Sequence, residues 1–281
     1  HLHQMPKRPQ ALDPLIPSPL DEICMRLIQK DPLKRYASAS HLLHLIGGRP
    51  IDEEIRDYWP SETVGRTTQK ALLRESMDEL LHGRTGTAFT FTGSNGHGKT
   101  RMLDLAELFA RRRGITVARG KCRDQDRPFG AFTGIYRSLG PERAPDIVRQ
   151  IFESVEQAEG LERYLILAAF RDYVIAHAPC VLLIDELEKA DPATTELIQY
   201  LIRNTIELNQ ASVSFVFAHQ NKLQRGFKLF TGLDSVQYHH LEPLNASDVE
   251  ELVLAITESS PVALVLATRI HQESNGSPAF I

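Results

Sequence analysis

The run Ala88-Phe89-Thr90-Phe91-Thr92, followed by Gly93-Ser94-Asn95-Gly96-His97-Gly98-Lys99-Thr100, constrains this chain more than any other feature. The first five residues are apolar and β-prone, as in a buried strand. Met102, Leu103, Leu105, Ala106, Phe109 and Ala110 then recur at helical spacing. A strand, a glycine-rich turn and a helix in that order gather backbone N–H groups and a helix N-terminus around one point, where an anion is favoured. Glycines are needed because side chains would block the approach and because such a turn visits positive φ. A lysine at position 99 then reaches the β- and γ-phosphates, and the Thr100 hydroxyl reaches Mg²⁺. This is the spacing of a P-loop. The alternative is a chance glycine-rich turn, and the flanking strand and helix argue against it. The expected ligand is ATP with Mg²⁺, held by Gly93, Ser94, Asn95, Gly96, His97, Gly98, Lys99 and Thr100; His97 fills a variable position and has no individual role.

A P-loop needs a partner strand that ends in an acid. Val181-Leu182-Leu183-Ile184-Asp185-Glu186 has that form. Asp185 is expected on the metal side, and Glu186 as the general base that polarises the attacking water. Two carboxylates at a strand's C-terminal end also sit where open α/β sheets take their ligands. A further strand, Val213–Ala218, runs into His219-Gln220-Asn221. Gln220 or His219 is expected to sense the γ-phosphate; an ordinary polar strand end is an equal alternative.

Strands and helices alternate from Thr63 onward, with helices expected near 69–81, 129–139, 145–157, 161–177 and 192–208. Strands are expected at 115–120 and 236–241, and closing helices near 246–257 and 260–273. The pattern implies an α/β P-loop NTPase with a parallel sheet flanked by helices, a C-terminal helical lid and a small α-helical N-terminal segment. The first 20 residues are proline-rich and exclude a long helix. Leu20–Ile28 and Ser38–Ile46 read as short helices, broken by Asp31-Pro32 and ended by Gly47-Gly48. Expected boundaries are 1–48 for the helical segment, 49–62 for a polar linker, 63–223 for the core, and 224–281 for a strand and the start of the lid.

The 281 residues, 42% hydrophobic and 24% charged, suffice for one or two packed domains. A net charge of −4 is unlike the basic footprint of a nucleic-acid binder, so no nucleic acid is expected as a partner. Three scattered cysteines, Cys24, Cys122 and Cys180, suggest neither a zinc site nor a disulfide framework and favour the cytoplasm. No apolar stretch approaches a membrane span, so no membrane is expected as a partner. The start at His1 and the stop within a helical stretch read as a piece of a longer protein. Arg111-Arg112-Arg113 is expected to face solvent and favour a helix C-terminus. His41 and His44 have a usable metal spacing but no completing ligand, and His239-His240 point to opposite sides of a strand.

From Val64-Gly65-Arg66 onward the chain resembles the AAA+-like signalling ATPases of the STAND group, found in bacterial regulators beside kinase or cyclase modules. Val64-Gly65-Arg66 is similar to the entry motif near the adenine, and Ile184-Asp185-Glu186-Leu187-Glu188-Lys189-Ala190-Asp191-Pro192 to the "DDLxWaDpat" stretch. Leu241-Glu242-Pro243-Leu244 resembles the "LxPL" motif before the lid. Asn275-Gly276-Ser277-Pro278-Ala279-Phe280-Ile281 resembles "GNPxFi", and Gly120-Lys121-Cys122 through Phe129 the segment that crosses the domain after the second strand. The resemblance implies nucleotide contacts by Val64, Gly65 and Arg66. Lys189 stands where the family commonly has Trp, and Gln220 where it often has Arg. The missing cation implies slow hydrolysis.

Residues 1–48 resemble the end of a Ser/Thr protein kinase C-lobe. Leu27-Ile28-Gln29-Lys30-Asp31-Pro32-Leu33-Lys34-Arg35-Tyr36 is similar to "LLxKdPxxRy". This implies a kinase domain in cis, with its catalytic residues outside the chain. The leading functional expectation is an ATP-dependent regulatory switch of a kinase signalling protein, exchanging ATP and ADP and self-associating with nucleotide. A ring-forming AAA+ remodelling ATPase and a nucleotide-holding scaffold without turnover are the alternatives.

Overall fold

The computed structural model describes residues 6–12, 18–29, 63–124, 127–153, 162–220, 230, 232–256 and 261–281. The chain divides into two compact units, His1–Glu62 and Thr63–Ile281. In the first, α1 (Pro9–Leu12) and α2 (Ser18–Leu27) are joined through Asp21. This buried carboxylate in the first turn of α2 accepts the Gln10 N–H at 3.0 Å and pairs with Arg8 at 3.2 Å. The helix N-terminus favours an acid there. Residues 30–62 lie outside the described residues. They hold most of the kinase-like run, including Arg35, and the expected second helix, linker and His41/His44 pair; His1 and His3 lie outside as well.

The second unit opens with α3 (Thr67–Leu81), β1 (Ala88–Gly93), α4 (Lys99–Arg112) and β2 (Thr116–Lys121). Next come α5 (Phe132–Leu139), α6 (Asp146–Glu153), α7 (Arg163–Ile175), β3 (Cys180–Asp185) and α8 (Pro192–Ile202). The unit closes with β4 (Val213–Gln220), β5 (Val236–His240), α9 (Ala246–Ile256) and α10 (Pro261–Ser274). The strands form one parallel sheet in the order β2-β3-β4-β1-β5. This is the expected α/β P-loop architecture.

β1 and β3 are buried along their whole length and β4 up to its last residue, which is why their sequences read as apolar runs rather than alternations. Successive side chains still leave on opposite faces. Val181 and Leu183 of β3 join Phe89, Phe91 and Val216 under α3 and α4. Leu182 and Ile184 join Phe215, Phe217 and the helices α5 to α8. The P-loop strand thus lies between two cores. α5 approaches β2 backbone to backbone. A Cβ on Gly134 would fall 2.4 Å from the Arg119 carbonyl oxygen, and one on Gly120 would fall 2.3 Å from that of Ala131.

Three local expectations change. α8 ends at Ile202 and continues as a π-turn over Arg203–Glu207. Here the Asn204 amide donates to the Tyr200 carbonyl and the Thr205 hydroxyl to that of Leu201, both at 2.8 Å, and such back-bonding competes with the α ladder. β4 extends through His219 and Gln220 because these pair in register with Thr92 and Gly93. Arg111 and Arg112 are exposed as expected, but Arg113 does not stand alone in solvent: at the surface it grips Asp78 of α3 through two hydrogen bonds, 2.6 and 3.1 Å.

Candidate nucleotide site

The loop between β1 and α4 takes its shape from its glycines. Gly96 and Gly98 have φ of +84° and +88°, conformations that L side chains rarely adopt. Gly98 is the last residue before α4, so the helix N-terminus opens directly onto the loop. The Lys99 ammonium curls back over the loop and donates to the carbonyls of Gly93 at 2.9 Å and Ser94 at 2.8 Å. Burial lowers its pKa, against the opposing pull of Glu188 and then Asp185.

Thr100 and Asp185, 85 residues apart in sequence, are neighbours. The Thr100 hydroxyl donates to Asp185 Oδ2 at 2.9 Å, and the Glu186 N–H donates to Asp185 Oδ1 at 2.9 Å. A hydroxyl and a carboxylate at this spacing are hard oxygen donors of the kind Mg²⁺ takes, so the residues fit that ion.

Glu186 follows in a left-handed conformation, φ 53°. Its carboxylate turns toward β2, where Lys121 Nζ meets Oε1 at 2.8 Å. Lys189 Nζ meets Oε2 at 2.8 Å and reaches Asp124 at 3.4 Å. Lys121, and after it Lys189, hold this carboxyl below the usual carboxylate range. Glu188 turns the other way, and its Oε2 accepts the Gln220 N–H at 3.1 Å. His219 beside it is buried. Desolvation lowers its pKa, against the opposing pull of the Gln220 carbonyl and Glu188.

Val64, Gly65 and Arg66 lie between the loop and the base of the C-terminal helices. The Arg66 guanidinium donates to the carbonyls of His97 (3.3 Å) and Glu242. A Cβ on Gly65 would meet Asp248 at 2.8 Å. The C-terminal turn also reaches the loop. Ala279 N–H donates to the Gly96 carbonyl at 3.2 Å, and a Cβ on Gly96 would strike Ser277 Oγ at 2.7 Å. His97 Nδ1 bonds the Leu241 carbonyl at 2.9 Å.

The structure thus gathers the loop, Asp185, Glu186, the end of β4 and Val64–Arg66 at one end of the sheet. Sequence reasoning did not foresee the lysine pair on Glu186, the placement of Glu188, or the contact of Ser277–Ala279 with the loop. The departure at Lys189 was the one visible signal.

Residues 62–216, more than half of the chain, match the AAA ATPase domain family. The chain belongs to that family. Among solved structures, this AAA ATPase domain is similar to the ORC2 protein of Aeropyrum pernix (ADPNP-ADP complexes), with 14% identity and a TM-score of 0.52. The match covers 81% of this chain and 63% of that one. Cdc6p from Pyrobaculum aerophilum is similar at 18% identity and a TM-score of 0.51, covering 79% of this chain and 61% of that one. At these identities the likeness concerns the fold, and the chain spans about three fifths of either relative's length. No curated protein matches the chain. Among the described residues, no helix of the AAA ATPase domain is long and apolar enough to cross a membrane.

Proposed function

We propose that this chain is the ATP-binding, slowly hydrolysing regulatory module of a Ser/Thr kinase signalling protein of the STAND type. In this reading the loop Gly93–Thr100 holds the phosphates, Lys99 pairs with the β- and γ-phosphates, and Val64–Arg66 lie at the adenine side. Thr100 and Asp185 would hold Mg²⁺, which when bound would neutralise phosphate charge. Glu186 is the carboxylate that polarises water, and Gln220 or His219 reads the γ-phosphate. The kinase-like run at 27–36 supports a kinase in cis, with 1–48 as its end, 49–62 as linker, 63–223 as ATPase core and 224–281 as the start of a lid. Exchange of ATP for ADP would change how copies associate, in the cytoplasm.

The lysine pair on Glu186 is the observation that carries slow turnover. A general base must offer a free carboxylate to water within hydrogen-bond reach. Both oxygens of Glu186 are engaged by ammonium groups, so the base acts only after two ion pairs open. The test is steady-state ATP turnover. Glu186→Gln should lower it by about 10²-fold or more. Lys121→Ala with Lys189→Ala should raise it several-fold. Turnover unchanged by Glu186→Gln would sink the assignment of the base, and a double lysine variant no faster than the parent would sink the account of slowness.

A further inference from the structure

The sheet order separates two carboxylates that are close in sequence. β3 has β2 on one side and β4 on the other, with the P-loop strand β1 beyond β4. Glu186 leans toward β2 and is tied there by Lys121. Glu188, after one more turn of chain in the 3₁₀ segment Leu187–Lys189, leans toward β4. Its carboxylate is fixed on the N–H of Gln220, and Gln220 is paired across the sheet with Gly93, the residue whose carbonyl receives the Lys99 ammonium. Glu188 and Lys99 therefore flank the same cross-strand pair. Among the described residues no lysine or arginine forms an ion pair with Glu188, whereas Glu186 has two such partners.

We propose that Glu188 is a specificity-determining residue of the nucleotide site: its carboxylate faces the position of the terminal phosphate and disfavours a triphosphate relative to a diphosphate. The inference rests on the ATP-binding reading above. A β-phosphate held by the loop and helix N-terminus gains the same donors in either nucleotide. The γ-phosphate adds charge on the side where Glu188 already stands, and like charges in a half-buried site repel strongly because water screens them poorly. Glu188 and Asp185 also favour the charged form of Lys99, against its burial. A divalent cation bound by Thr100 and Asp185 would offset part of the repulsion, which makes the discrimination depend on Mg²⁺.

Calorimetric titration of the full chain with ADP and with ADPNP, each with and without Mg²⁺, tests this. The parent chain should bind ADP at least tenfold more tightly than ADPNP without Mg²⁺, and the gap should narrow with it. Glu188→Gln retains an acceptor for the Gln220 N–H while removing the charge. It should shrink the ADP/ADPNP ratio about tenfold and leave ADP affinity within about threefold. Glu251→Gln, which removes one exposed charge from α9, should leave the ratio alone. An unchanged ratio in Glu188→Gln, or equal binding of both nucleotides by the parent, overturns the inference and leaves the ATP-binding reading intact. Loss of both nucleotides in Glu188→Gln also overturns it, since the residue would then be needed for any binding. A parent chain that binds neither nucleotide overturns the ATP-binding reading, and this inference with it.

Discussion

At the scale of single residues, the site is a set of charges held apart by short reaches of chain. Glu186 occupies the left-handed region, which costs a non-glycine residue about 1 kcal/mol. That turn is what sends its carboxylate to Lys121 while Asp185 stays with Thr100. The depressed carboxyl of Glu186 has a consequence for acid stability. A carboxyl whose folded pKa lies below its unfolded value stabilises the fold fully above the ordinary pKa of about 4.3, and the contribution disappears as pH falls through the folded value. Melting curves should therefore show Lys121→Ala with Lys189→Ala melting below the parent at pH 7, with the difference closing in acid as pH falls below the ordinary carboxylate range. A gap that persists in acid would mean that the lysines stabilise by packing alone. Of this only the departure at Lys189 was legible beforehand. Lys121 lies 65 residues from Glu186, and only the adjacency of β2 and β3 brings them together.

At the scale of elements, the sequence was most informative where a local pattern decides local structure. β1, β3 and β4 were legible because a strand buried on both faces needs an unbroken apolar run. The loop Gly93–Thr100 was legible because its glycines serve backbone conformations that Gly96 and Gly98 do adopt. The end of α8 was not, because Thr205 and Asn204 are ordinary helix residues until their side chains take the carbonyls of Leu201 and Tyr200. Nor was the close seat of α5 on β2. There Gly134 admits the Arg119 carbonyl, and a methyl group has no room. Gly134→Ala should destabilise the fold by about 1–3 kcal/mol, as overpacking does elsewhere, and urea unfolding would show it. A neutral outcome would mean that α5 can slide along β2 without loss.

At the scale of the whole unit, the phosphate loop shares its wall with the C-terminal segment. Gly96 carries Ala279, His97 carries Leu241, and Leu244 N–H donates to the Gly276 carbonyl at 2.7 Å. Ligand binding to the loop should therefore slow amide exchange at Leu244 and Ala279, far from it in sequence, and mass-resolved exchange with and without ADP would show this. Protection confined to residues 93–100 would mean that the contact is passive. The same connectivity sets an order of events in the cell. Of the five strands of this sheet β1 is made first, yet both its neighbours, β4 and β5, lie between residues 213 and 240. The anion-binding loop is thus carried by a strand whose partners are made last, and closing that long separation is entropically slow. A nascent domain must therefore extend past residue 240 before the loop acquires both its walls, so nucleotide can stabilise this domain only after β4 and β5 have emerged.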